Sequence, residues 1–67
     1  MSVGSKINEI ITNRGIRKTF VASELGITSR SLSNKLEDKT EFTAKEIGKM
    51  VEMFRLSREE IGDIFLK

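Results

Sequence analysis

An all-α fold of five short helices is what the 67 residues predict. Three observations carry that prediction. Apolar residues recur at i, i+3 and i+4, the spacing that lines one face of a helix. Two Ser/Thr-x-x-Glu signatures mark helix starts. No run alternates apolar and polar residues with a period of two, so no sheet is expected.

The elements follow in chain order. Ile7, Ile10 and Ile11 share a face of the first helix, with Ser5 expected to cap its start and Gly15 to end it. Val21, Ala22 and Leu25 repeat the pattern, and Gly26 follows at once. Thr28 is the expected cap of a third helix carrying Leu32 and Leu36. Thr43 with Glu46 forms a capping box for the fourth, stapled by Phe42 and Ile47, with Met50, Val51 and Phe54 continuing its face. Ser57 with Glu60 repeats the device for the fifth, stapled by Leu56 and Ile61 and carrying Ile64 and Phe65. The two boxes lie too close together for a helical repeat unit, and nothing else recurs.

One domain, residues 1–67, is all this length supports. Histidine and cysteine are absent, as is a Gly-rich phosphate loop, and the adjacent Glu37 and Asp38 read as a helix end. No enzyme, catalytic residue, cofactor, metal or small-molecule ligand is therefore expected. "MSVGSK" has no apolar run after its charge, and no stretch approaches a membrane span. A cytoplasmic protein without a membrane partner is expected.

Charge is unevenly spread. From Asn13 to Lys35, the basic residues Arg14, Arg17, Lys18, Arg30 and Lys35 face only Glu24, a local net charge of +4. From Glu41 onward five basic residues meet six acidic ones. Such asymmetry suggests one surface turned toward a polyanion.

The stretch "LGITSRSLSNKL" sits in the basic half and explains itself as a reading head. "GIT" is a tight, glycine-containing break between helices two and three, the form of a helix-turn-helix. Ala22 lets the two helices approach, and Ile27 plugs the gap between them. On a wheel of about 100° per residue, Leu32 and Leu36 point inward and Arg30 and Asn34 point nearly opposite. Ser31 and Ser33 flank that outward line, and Ser29 stands at the first turn. Short hydroxyls let a helix enter a groove of about 12 Å. An arginine fork fits guanine O6 and N7, and an asparagine amide fits adenine N6 and N7.

Residues 18–36, "KTFVASELGITSRSLSNKL", resemble the helix-turn-helix of the Cro and cI family of lambda-repressor-like phage regulators. The matching positions are Ala22, Leu25, Gly26, Ile27, Leu32 and Leu36. The likeness extends over about residues 5 to 66, because the five-helix count and "FTAKEIGKMVEMFRLSREEI" also suit the family. In size the chain is similar to a stand-alone Cro-like protein.

The resemblance implies a sequence-specific double-stranded-DNA-binding transcription regulator, a phage or prophage repressor. It implies base contacts from Ser29, Arg30, Ser33 and Asn34. Phosphate contacts are expected from Arg17, Lys18, Thr19, Thr28, Lys35, Lys39 and Thr40. Two departures stand out. Arg17 and Lys18 replace the family's usual Ser/Thr and Gln, with Thr19 as the expected cap. The second recognition-helix hydrophobic is Leu36, four residues after Leu32, so Lys35 occupies its usual place.

One helix in one groove reads only a few base pairs, so a homodimer on operator half-sites is expected. The consecutive apolar Ile64, Phe65 and Leu66 are the candidate dimer contacts. The competing expectation is a protein-interaction module on the same fold, an antitoxin or antirepressor.

Overall fold

The computed structural model describes residues 2–65. It is all-helical: α1 (Val3–Asn13), α2 (Lys18–Leu25), α3 (Ser29–Leu36), α4 (Ala44–Phe54) and α5 (Arg58–Phe65). There is no strand among the described residues.

Helix starts follow the capping chemistry, with two corrections. Thr28 Oγ1 accepts from Ser31 N at 3.0 Å. Thr43 and Glu46 close a reciprocal box at 2.8 and 3.1 Å. Ser57 and Glu60 close another at 2.9 and 3.1 Å. The cap of α1, however, is Ser2 rather than Ser5: Ser5 donates its own N–H to Ser2 Oγ and sits inside the first turn. The start of α2 has no side-chain cap; Arg17 takes the capping position with extended backbone, and Thr19 lies within the helix. Thr19 therefore has no capping role.

Helices α1 to α4 share one ending. A left-handed residue stands one or two positions after each helix: Gly15 (φ 66°) after α1, Gly26 (71°) after α2, Asp38 (63°) after α3 and Arg55 (52°) after α4. Its N–H bonds to the carbonyl three residues back, and the next N–H bonds five back, as in Gly26→Ser23 at 3.1 Å and Ile27→Ala22 at 3.0 Å. This double bond set satisfies carbonyls that a helix end leaves open.

The core is built from Ile7 and Ile11 of α1, Val21 and Ala22 of α2, and Leu32 and Leu36 of α3. Met50 and Phe54 of α4, Leu56, and Ile64 of α5 complete it. α3 packs on both α1 and α2, α4 packs on α2, and α5 packs on α1. The tightest approach is at Gly4. A Cβ there would lie 2.5 Å from the Leu36 carbonyl oxygen and 2.6 Å from that of Lys35. Gly4 N also donates to Asp38 Oδ1 at 3.1 Å, so the start of α1 seals the end of α3.

Cations bind the helices together at the edges. Lys6 meets Asp63 at 3.0 Å. Arg14 donates to the Phe54 carbonyl and lies 3.5 Å from Glu60. Hydrogen bonds from Ser57 and the nearby Arg14 charge outweigh desolvation and hold the Glu60 carboxyl below its ordinary pKa of 4.5.

Candidate nucleic-acid interface

The pieces that position α3 leave one of its faces unoccupied. Leu32, Lys35 and Leu36 are its buried residues. At about 100° per residue, the direction opposite these three falls between Arg30 and Asn34. Ser29 and Arg30 are exposed, while Ser31, Ser33 and Asn34 are half-buried. The Arg30 and Asn34 side chains have no hydrogen-bond partner among the described residues. The wheel's outward line is thus an available face, with an unpaired guanidinium and amide four residues apart.

The turn before α3 holds that face in place. Gly26 adopts the left-handed conformation at small cost because it lacks a Cβ. Ala22 is buried on α2, which packs on α3, and Ile27 packs against the core from the turn. Arg17, Lys18 and Thr19, at the start of α2, are exposed, and the two cations form no ion pair among the described residues. Thr28 is exposed and committed through its hydroxyl to the cap. Thr40 is exposed, as is Lys39, which pairs with Glu37 at 3.2 Å. That surface pair is worth little and opens readily to a stronger anion.

Lys35 is the exception among the expected phosphate residues. It is 8% exposed and points inward. Its Nζ donates to the Glu41 carbonyl at 2.9 Å and meets Glu46 Oε1 at 3.0 Å. It also lies 5.8 Å from the centre of the Phe42 ring. Burial alone would raise the Glu46 pKa. The Thr43 N–H and the Lys35 ammonium outweigh it and hold the carboxyl below its ordinary value of 4.5. An ammonium so committed is withdrawn from the phosphate set. The wheel carried the signal, since Lys35 lies three residues from Leu32 on the inward side. Its charge argued for solvent instead.

Arg14 is likewise engaged with α4 and α5, so the outward charge of this half rests on Arg17, Lys18 and Arg30. Sequence reasoning also passed over Lys45. It is exposed on α4 and borders a groove that Gly26, Ile27 and Thr43 also line, bringing a further cation beside the turn.

The expected dimer contacts divide. Ile64 is 6% exposed and belongs to the core, so it is unavailable to a partner. Phe65 is half-buried against that core, and Leu66 lies outside the described residues. The largest exposed apolar side chain is elsewhere: Phe20, on the outer side of α2, is 52% exposed. No helix is long and apolar enough to cross a membrane among the described residues.

No curated protein and no solved structure matches the chain. A family model described as "Protein of unknown function (DUF739)" matches it over residues 2–67, and the chain belongs to that family.

Proposed function

We propose that this protein is a sequence-specific double-stranded-DNA-binding transcription regulator, a repressor of the Cro/cI kind found in phages and prophages. In this reading α2 and α3 are its helix-turn-helix. The observation that carries it is the outward pair Arg30 and Asn34, free of internal hydrogen bonds and bordered by serines. Arg30 would take a guanine and Asn34 an adenine, with Ser29 and Ser33 at neighbouring base edges. Arg17, Lys18, Lys39, Thr40 and the start of α3 would meet phosphates, which position the helix without reading sequence.

Titration against duplex DNA from low to physiological salt tests the reading. Affinity is expected to fall steeply with salt as counterions are displaced. Lys18→Ala should lower the salt slope by about one unit and weaken all sequences alike. Absence of duplex binding at low salt would overturn the proposal.

Two copies on half-sites about 10 bp apart would supply enough contacts for an operator. With Ile64 in the core, the proposed contact narrows to Phe65 and Leu66. Removing residues 65–67 should weaken binding to a paired operator more than to one half-site; equal losses would move the interface elsewhere.

A second reading, an interaction module such as an antitoxin or antirepressor, draws on exposed Phe20. A single exposed ring is common on monomer surfaces, so this observation weighs less.

A further inference from the structure

The end of α3 and the start of α4 meet at one carboxylate oxygen. Glu46 Oε1 accepts the Thr43 N–H at 2.8 Å, which is the return half of the α4 capping box. The same atom receives the Lys35 ammonium at 3.0 Å. Lys35 holds the intervening loop as well, through the Glu41 carbonyl at 2.9 Å and the face of Phe42. Both side chains are about nine-tenths buried, at 10% and 12% exposure. α3 packs most extensively on α1 and α2, and this polar contact ties its second turn to α4.

A buried ion pair is weak evidence for stability. Replacing one by well-packed apolar groups is often neutral or favourable. What such a pair supplies is direction: a short, hydrogen-bonded contact has one good geometry, whereas apolar packing tolerates several. Lys35 directly follows Asn34 in the chain and lies five residues after Arg30. A small roll of α3 about its axis would carry both outward side chains across the groove floor.

We infer that Lys35 and Glu46 form a clamp that fixes the roll of α3, making Lys35 a positioning residue for base discrimination and not a phosphate ligand. The inference rests on the DNA-reading proposal. A backbone ligand and a positioning residue differ in what they change. Loss of a phosphate contact weakens every sequence equally and lowers the salt slope. Loss of the clamp leaves the charge facing DNA untouched and blurs the distinction between sequences.

The test compares Lys35→Met, Glu46→Gln and Lys35→Arg with the parent, on its preferred duplex and on random duplex. Glu46→Gln keeps an oxygen for the Thr43 cap while removing the charge, so it remains folded if Lys35→Met does not. Both Lys35→Met and Glu46→Gln are expected to lose about tenfold in the ratio of specific to random binding. Their salt slopes should equal the parent's, and Lys35→Arg should recover most of the ratio. A slope lower by about one unit in Lys35→Met, with equal loss on both duplexes, would overturn the clamp and restore a phosphate contact.

A DNA-free readout separates failure of the clamp from failure of the DNA reading. In nuclear magnetic resonance spectra, the amides of residues 29–43 should shift in Lys35→Met and Glu46→Gln, while those of α5 stay in place. Unchanged α3 amides overturn the clamp whatever the protein binds. Shifted amides in a protein whose parent ignores duplex DNA retain the positioning role and overturn only the DNA reading.

Discussion

Arg30 and Lys35 stand five residues apart on one eight-residue helix and carry the same charge, yet their surroundings are opposite. Lys35 faces a carbonyl, a carboxylate and a ring, and is 8% exposed. Arg30 faces solvent with no partner among the described residues. The inner side of α3 is closed by hydrogen bonds and close packing, while its outer side is left open. A polar side chain with every bond made inside the molecule is explained by the fold; an unpaired one on a rigid element is left available to a partner.

The inner side can be broken most sharply at Gly4. Any side chain there meets the Leu36 and Lys35 carbonyls within 2.6 Å, and those atoms are backbone. Gly4→Ala must push α1 off the end of α3 and disturb the Gly4–Asp38 hydrogen bond. A loss of about 3 kcal/mol is expected in denaturant unfolding, the upper range for overpacking. An unchanged midpoint would mean that α1 does not press on α3.

The caps of α4 and α5 resemble each other locally and differ in what they touch. Thr43→Ala and Ser57→Ala should each cost about 1 kcal/mol of stability. Only Thr43→Ala adjoins the Lys35 clamp, so only it should also reduce base discrimination. Acid reports on the same two carboxylates. Glu46 and Glu60 both have pKa values below 4.5 in the folded chain. Their stabilisation is therefore complete above that pH and is lost as pH falls through the folded values. Thermal melts should drop on acidification below pH 4.5, and Glu46→Gln should show a shallower drop than the parent.

The smallest effect is expected away from both sides of α3. Arg55 sits in the left-handed region at φ 52°, which a residue with a Cβ adopts at a cost. Arg55→Gly should raise stability by about 0.5–1 kcal/mol, seen as a higher melting temperature, with DNA binding unchanged. A lower melting temperature would show that the Arg55 side chain matters more than its backbone.

Much of this architecture is written locally. Thr28, Thr43 and Ser57 announce helix starts because a cap needs only a hydroxyl and an N–H three residues on. Gly15 and Gly26 announce helix ends because glycine favours the backbone those ends require. Asp38 and Arg55 end helices in the same way but carry no such mark. Asp38 is held there partly by a bond to Gly4, thirty-four residues distant, which no local pattern encodes. Ser2 and Ser5 are equivalent as caps in sequence, and the structure starts α1 at the earlier one. The outward face of α3 was legible from Leu32 and Leu36 alone. The same wheel puts Lys35 on the inward side, but its ion pair was not legible, because the partner carboxylate belongs to another helix.

Whether the open side of α3 reads bases decides between a DNA-binding protein and an interaction module. The most direct measurement is the affinity of the parent and of Arg30→Ala for the preferred duplex and for each of its single-base-pair variants. Arg30→Ala should keep the parent's melting temperature and lose discrimination at one base pair, by about 1–3 kcal/mol, while preferences at other positions persist. If Arg30→Ala binds every variant in the parent's order and with the parent's spacing, the outer face of α3 is not a reading surface.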